Sequence, residues 1–207
     1  MISNLTKIRN YYKMNKMPNF SNGKLDLIVG CMYSGKTINL LGRLVVCADL
    51  GLKVLYINHS LDDRNPGYSI STHNPLISLE NNKIDSISVS TLKGLRKEEY
   101  DVIGIDEAQF FDISLYNFCK THVEVYKRHV IVSGLDSDSN RNKFGHIIDL
   151  IPLADSIHKM RAFCDECGPR KTKALFSYKT VMNDNIIDVG GKNKYIPLCR
   201  ECYLNKA

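Results

Sequence analysis

No apolar run in these 207 residues approaches the roughly 20 that a membrane-spanning helix requires. The first residues also lack the uninterrupted apolar core of a signal peptide. A soluble, intracellular, cytoplasmic chain with no membrane partner is therefore expected. The seven cysteines lack the spacing of a secreted disulfide framework, which leaves metal ligation or free thiols. Positions 1–24 hold Lys7, Arg9, Lys13, Lys16 and Lys24 and no acid, so five of the six net positive charges sit there. The remainder is nearly neutral, and no basic stripe interleaved with aromatics marks a nucleic-acid groove. No nucleic-acid partner is expected. Internal repeats and low-complexity tracts are absent too. The length suits one full domain plus a small appendage, with 1–24 as a flexible basic extension.

What is present begins with Gly30-Cys31-Met32-Tyr33-Ser34-Gly35-Lys36-Thr37, of the form G-x-x-x-x-G-K-T. An apolar segment, Leu25 to Val29, precedes it and reads as a buried strand. Ile38, Leu40, Leu41, Leu44, Val45 and Ala48 follow at helical spacing, and Gly51 supplies a helix stop. A loop turning sharply into a helix N-terminus aims several backbone N–H groups at one point, which makes an anion site. In that arrangement Lys36 reaches phosphate and the Thr37 hydroxyl can ligate Mg²⁺. The alternative is a chance match in an ordinary strand-to-helix turn.

Lys53 to Asn58 reads as a second strand, and strand–helix–strand implies a parallel unit. His59 to Pro75 is a long polar stretch containing Asp62, Asp63 and Arg64, the kind of loop that often carries function. A short strand is expected at Ile87 to Ser90. Val102-Ile103-Gly104-Ile105-Asp106-Glu107 then ends an apolar strand in two carboxylates, at the sheet edge where such folds bind ligands. Asp106 there can hold Mg²⁺ and Glu107 can accept a proton. A strand ending in merely solvated acids is the bland alternative. A helix is expected over Leu115 to Val125, a buried strand at Val130 to Leu135, and an edge strand at Asp155 to Met160.

The character changes at Cys164-Asp165-Glu166-Cys167, matched by Cys199-Arg200-Glu201-Cys202. Two C-x-x-C knuckles offer four thiolates to one tetrahedral zinc ion. The 31 intervening residues make the metal a clasp at the base of a long loop. Such a site is structural and contributes on the order of 10 kcal/mol to folding of its lobe. A pair of redox dithiols is the alternative. Cys47 and Cys119 read as small buried apolar residues.

Taken together, GCMYSGKT (30–37), IDEAQFF (105–111), GLDSDSNRNKFG (134–145), CDEC (164–167), GGKNKY (190–195) and CRECY (199–203) resemble the cellular, poxviral and bacterial type of thymidine kinase. The resemblance runs from about Leu25 to Tyr203. It implies an α/β fold, a P-loop (RecA-like) parallel sheet flanked by helices with a small C-terminal zinc-binding lasso domain. The implied division is 25–160 for the nucleotide-binding domain and 161–207 for the lasso domain. The implied reaction is in-line transfer of the γ-phosphate of ATP to the 5′-hydroxyl of thymidine, with deoxyuridine as a second acceptor.

On that resemblance, Gly30, Cys31, Met32, Tyr33, Ser34, Gly35, Lys36 and Thr37 would hold the ATP phosphates, with Asp62, Asp63 and Gln109 nearby. Thr37 and Asp106 would hold Mg²⁺, Glu107 would be the catalytic base, and Arg64 would steady the transferring phosphoryl group together with Lys36. Met32, Phe110, Leu135 and Phe144 would wall the base. Ile186, Ile187, Asp188, Val189 and Gly190 would bind thymine through their backbone, with Tyr195 and Ser177 beside them. Homotetramer formation, a place in nucleotide salvage and inhibition by thymidine triphosphate (dTTP) are also implied. The chain departs from the family pattern at Ser139, where relatives carry an aromatic, at Ala108 for glycine, at Cys31 for proline, and around Pro169 to Lys173. Two other readings share parts of this pattern: a motor ATPase with a DEAx box, and a zinc ribbon on a degenerate nucleotide-binding core. Intact Lys36, Thr37, Asp106 and Glu107 speak against degeneracy, and the chain has no room for a second motor domain.

Overall fold

Strands apolar on both faces must be covered on both faces, and that requirement shapes the chain. The computed structural model describes residues 22–62, 84–168, 171–181 and 194–206. Six strands, β1 (Lys24–Gly30), β2 (Val54–His59), β3 (Asp85–Val89), β4 (Val102–Ile105), β5 (His129–Gly134) and β6 (Ser156–Met160), form one sheet. Their order is β3-β2-β4-β5-β1-β6, and every pairing is parallel. On one face Leu25, Leu27, Val29, Ile57 and Val132 pack against Phe111, Leu115, Phe118, Ile147 and Leu150. On the other, Ile28, Tyr56 and Ile131 pack against Leu40, Leu41 and Leu44 of helix α1 (Lys36–Asp49). The parallel register delivers the ends of β1, β2, β4 and β5 to one edge, where the chain turns into loops.

The expected glycine stop is present: Gly51 has φ 85° and its N–H bonds the Ala48 carbonyl at 2.9 Å. The helix expected over Leu115 to Val125 divides in two. Helix α2 covers Ser114–Lys120, and a wider π-type turn covers Thr121–Val125. His122 accompanies this widening: its Nδ1 donates to the Phe118 carbonyl at 2.9 Å and its ring stacks on Phe118 at 3.8 Å. Side chains that bond the preceding turn distort regular helix, and apolar periodicity does not report them.

A smaller lobe follows β6. Strand β7 (Ala162–Phe163) pairs antiparallel with β8 (Lys173–Ala174), and β9 (Phe176–Lys179) with β10 (Tyr195–Leu198). Helix α3 (Arg200–Leu204) closes it. Its core holds Ala162, Ala174, Leu198 and Tyr203, and Cys31 from the end of β1 is packed among them. Among the described residues no helix is long and apolar enough to cross a membrane.

One charge lies deep in the sheet. Asp26 is 2% exposed and accepts hydrogen bonds from His129 Nε2 at 2.8 Å, Lys24 Nζ at 2.9 Å and the Ser156 hydroxyl. Burial alone would raise its pKa, but these donors outweigh it and hold the carboxyl well below the ordinary carboxylate range. A carboxyl whose folded pKa is depressed contributes stability above its unfolded pKa of about 3.9 and loses it as pH falls. Asp26→Ala is therefore expected to cost about 3–5 kcal/mol at pH 7. The gap from the unmodified protein should narrow as denaturant titrations move below about pH 4. A gap that stays constant across that range would rule out a charge origin.

Candidate active site

The phosphate loop takes its shape from residues that the strand and helix cannot continue through. A Cβ on Gly30, whose φ is 149°, would lie 2.3 Å from the Met160 carbonyl oxygen on the neighbouring strand. Tyr33 (φ 62°) and Gly35 (φ 84°) then swing the chain left-handed into α1. Ser34 Oγ and Lys36 Nζ both donate to the Cys31 carbonyl at 2.8 Å, so the loop curls around its own backbone. No acidic residue stands in the first turn of α1, which leaves that positive dipole end to an outside anion.

Directly across, β4 ends and Asp106 follows, 3% exposed. Its carboxylate accepts from Tyr56 Oη at 3.2 Å and from the Glu107 N–H at 3.0 Å. The Thr37 hydroxyl lies beside the same carboxylate. Burial raises the Asp106 pKa and the neighbouring Glu107 charge raises it further, while Thr37 opposes both. Burial lowers Lys36, and the charges of Glu107, Asp106 and Asp136 resist that. Tyr56 is pushed far above the ordinary phenol range by burial, then by Asp106, Glu107 and Asp62. A hydroxyl and a strained acid pair at a helix N-terminus form an oxygen donor set that suits a hard divalent cation. Such an ion would relieve the like-charge pressure on Asp106.

Glu107 itself sits in the left-handed region, φ 49° and ψ 39°, and starts a one-turn 3-10 helix over Ala108–Phe110. Gln109 Nε2 donates to Glu107 Oε2 at 2.6 Å, and Gln109 Oε1 accepts the Leu135 N–H at 2.9 Å. The expected base-walling residues adjoin this turn. Phe110 and Phe144 meet edge to face at 5.8 Å, and His59 faces Phe110 at 5.7 Å. Leu135 begins the loop that ends at Phe144. Asp62, at the end of the β2 segment, accepts from Asn58 Nδ2 at 3.2 Å. Asp63, Arg64 and Ile186, Ile187, Asp188, Val189 and Gly190 lie outside the described residues.

Besides enclosing Cys31, the small lobe bonds to the loops of this site through Ser177 and Tyr203. Ser177, expected at a base-contacting position, is buried and its Oγ accepts the Met32 N–H of the phosphate loop at 2.9 Å. Tyr203 Oη donates to the Ser139 carbonyl at 2.6 Å, and the Arg141 guanidinium lies 4.7 Å over the Tyr203 ring. Tyr195 is buried at the start of β10, paired in register with Lys179.

Four thiols converge in the same lobe. The sulfurs of Cys164, Cys167, Cys199 and Cys202 all lie within 4.8 Å of one another. Cys167 Sγ is 3.5 Å from Cys202 Sγ and 3.8 Å from Cys199 Sγ. A tetrahedral zinc site with bonds of about 2.3 Å places its sulfurs about 3.8 Å apart. Disulfide bonds are about 2.05 Å, so these thiols are spaced for a metal. Burial would raise the Cys164 thiol, but backbone hydrogen bonds involving Cys199, Cys167 and Glu166 bring it down to about 7.

Four residues of the site escaped the sequence reading as participants. Tyr56 places a polar-tipped side chain among the apolar residues that open β2, a signal present in the sequence. Asp136 ion-pairs with Lys159 and adds a third acid near Lys36. Arg141 and Tyr203 meet only because the fold brings a loop and the last helix together, and no local pattern announces it.

Comparison with known proteins gives a consistent result. A family profile described as "Thymidine kinase" matches residues 23–203. A thymidine kinase of Oryza sativa subsp. japonica is 37% identical over 200 residues, covering 93% of this chain and 70% of the relative. One from Choristoneura fumiferana entomopoxvirus is 36% identical over 180 residues, covering 86% and 95%. One from Bacteroides thetaiotaomicron is 39% identical over 182 residues, covering 88% and 87%. Among solved structures, the flagellar accessory protein FlaH of Methanocaldococcus jannaschii superposes with a TM-score of 0.45 at 16% identity, covering 67% of this chain and 71% of that one.

Removing the Ser177 hydroxyl strands the Met32 N–H in a partly buried place. Ser177→Ala is expected to lower unfolding stability by about 1–3 kcal/mol. A loss below about 0.5 kcal/mol in chemical denaturation would mean that water takes over the bond and that the lobe does not pin the loop.

Proposed function

Because the chain belongs to the thymidine kinase family, it is an ATP-dependent phosphotransferase that phosphorylates thymidine in salvage, and we propose how its residues carry the reaction out. Gly30 to Thr37 cradle the ATP phosphates, with Lys36 leaving the Cys31 carbonyl to meet them. Thr37 and Asp106 hold Mg²⁺, which when bound neutralises charge on the phosphates. Glu107 takes the proton of the thymidine 5′-hydroxyl as it attacks. Arg64 steadies the transferring group. Phe110, Phe144, Leu135 and Met32 wall the base, and the segment 186–190 closes over it. The observation that supports this reading best is the convergence of Lys36, Asp106 and Glu107 at one sheet edge, beside two edge-to-face aromatics.

Residues 25–160 serve as the nucleotide-binding domain and 161–207 as the lobe that holds structural zinc through its four cysteines and receives the nucleoside. A thymidine triphosphate carries both the base and the phosphates, so it spans both subsites and inhibits. We place the enzyme in the cytoplasm as a homotetramer, with no nucleic-acid partner.

Glu107→Gln keeps the shape of the side chain and removes the proton acceptor. Its kcat is expected to fall roughly 10²–10⁴-fold with the KM for ATP little changed. The assay is transfer from ATP to thymidine, deoxyuridine, deoxycytidine, deoxyguanosine and uridine, and a near-normal rate would remove Glu107 from the role. Stripping zinc with a chelator is expected to raise the KM for thymidine more than that for ATP, and to release about one zinc per chain. Equal loss of both would assign the metal to the whole fold.

A further inference from the structure

The catalytic reading gives the buried amide of Gln109 no part in the proton transfer. Gln109 is 2% exposed, yet neither end of its amide faces solvent. Nε2 donates to Glu107 Oε2 at 2.6 Å and Oε1 accepts the Leu135 N–H at 2.9 Å. We propose that Gln109 is a positioning residue: it sets the direction of the Glu107 carboxylate and ties it to the loop that begins at Leu135. This rests on Glu107 acting as the general base.

The orientation of the amide follows from chemistry. A backbone N–H can only donate and a carboxylate can only accept, so reversing the amide would set donor against donor and acceptor against acceptor. The side chain is also boxed. A Cβ on Gly134 would lie 2.7 Å from Gln109 Oε1, and one on Gly145 (φ 62°) would lie 2.1 Å from the Gln109 carbonyl oxygen. Both glycines flank the loop 135–144, so the residue that carries the amide moves only if that loop moves.

Glu107 has need of such a guide. It projects from a left-handed turn, repelled by Asp106 at the next position and attracted by Lys36. Those charges alone do not fix the direction in which the carboxylate lies. A charged hydrogen bond of 2.6 Å does fix one carboxylate oxygen, and being donated by a neutral amide it adds no competing cation. The same amide reports on the nucleoside side, since its other end holds the first residue of the base-walling loop. The base-walling loop and the Glu107 carboxylate are thereby joined through one side chain.

A cycle of substitutions separates guidance from mere packing. Gln109→Met keeps volume and loses both hydrogen bonds. It is expected to lower kcat roughly 10–100-fold, the scale of a misplaced reacting group, with the KM for ATP within about twofold. In the Glu107→Gln background the same change should alter kcat by less than about twofold, because there is no base left to aim. Gln109→Glu is the second variant. It keeps shape and the acceptor for Leu135, replaces the donor with a like charge, and should follow the same pattern, its fold checked by thermal melting. Equal fold losses in both backgrounds overturn the proposal, as does a Gln109→Glu protein that folds and keeps its kcat. A rise in the KM for ATP with kcat preserved also overturns it and makes Gln109 an ATP contact. A near-normal rate for Glu107→Gln alone removes the base, and the guide with it, and is distinguished by needing no change at Gln109.

Discussion

Three carboxylates press on one lysine at the edge of this sheet, and little of the molecule makes sense without that crowding. Asp106 and Glu107 are adjacent, and both act on Lys36, as does Asp136, which is itself ion-paired with Lys159. Flexible loops would let such groups drift apart into water. A parallel sheet of six strands prevents this, because the ends of β1, β4 and β5 are fixed by register to within a few residues of one another. The acids stay together because the backbone holds the strand ends in register. Local strain at Glu107 and Tyr33, both left-handed, belongs to the same economy.

The small lobe completes the site from outside. Its core takes in Cys31, its Ser177 holds the Met32 N–H, and its Tyr203 holds the Ser139 carbonyl. Two of the loops that frame the edge are therefore anchored to a lobe in which four thiols converge. A lobe this small buries little apolar surface, and metal ligation is a common remedy.

How much of this was legible depended on how local the cause was. The strand before Gly30, the helix after Lys36 and the stop at Gly51 follow from apolar patterning and one glycine, and all were read correctly. The Asp106–Glu107 pair and the cysteine knuckles were visible because residue type and spacing carry the chemistry directly. The turn at Thr121–Val125 was not, because His122 bonding to Phe118 competes with regular helix. The family pattern sets Gln109 near the phosphates and is silent on its bonds to Glu107 and Leu135, two and 26 residues away, which depend on how β4 and β5 are aligned. Ser177 was assigned to the base, and its bond to Met32 spans 145 residues, beyond the reach of any window on the sequence.

That span has a consequence for the order of events during synthesis. The phosphate loop is made early, but the serine that holds Met32 follows 145 residues later, and Tyr203 follows 26 residues after that. A nascent chain can pair β1 to β6 while both anchors are still unmade. The nucleotide site is then present in outline with its loop untethered. Translation at about 5–20 residues per second makes that interval several seconds long. The finished site thus depends on residues made long after the loop itself, and a chain cut short before α3 would lack Cys202 as well as the tether of Tyr203 to the loop at Ser139.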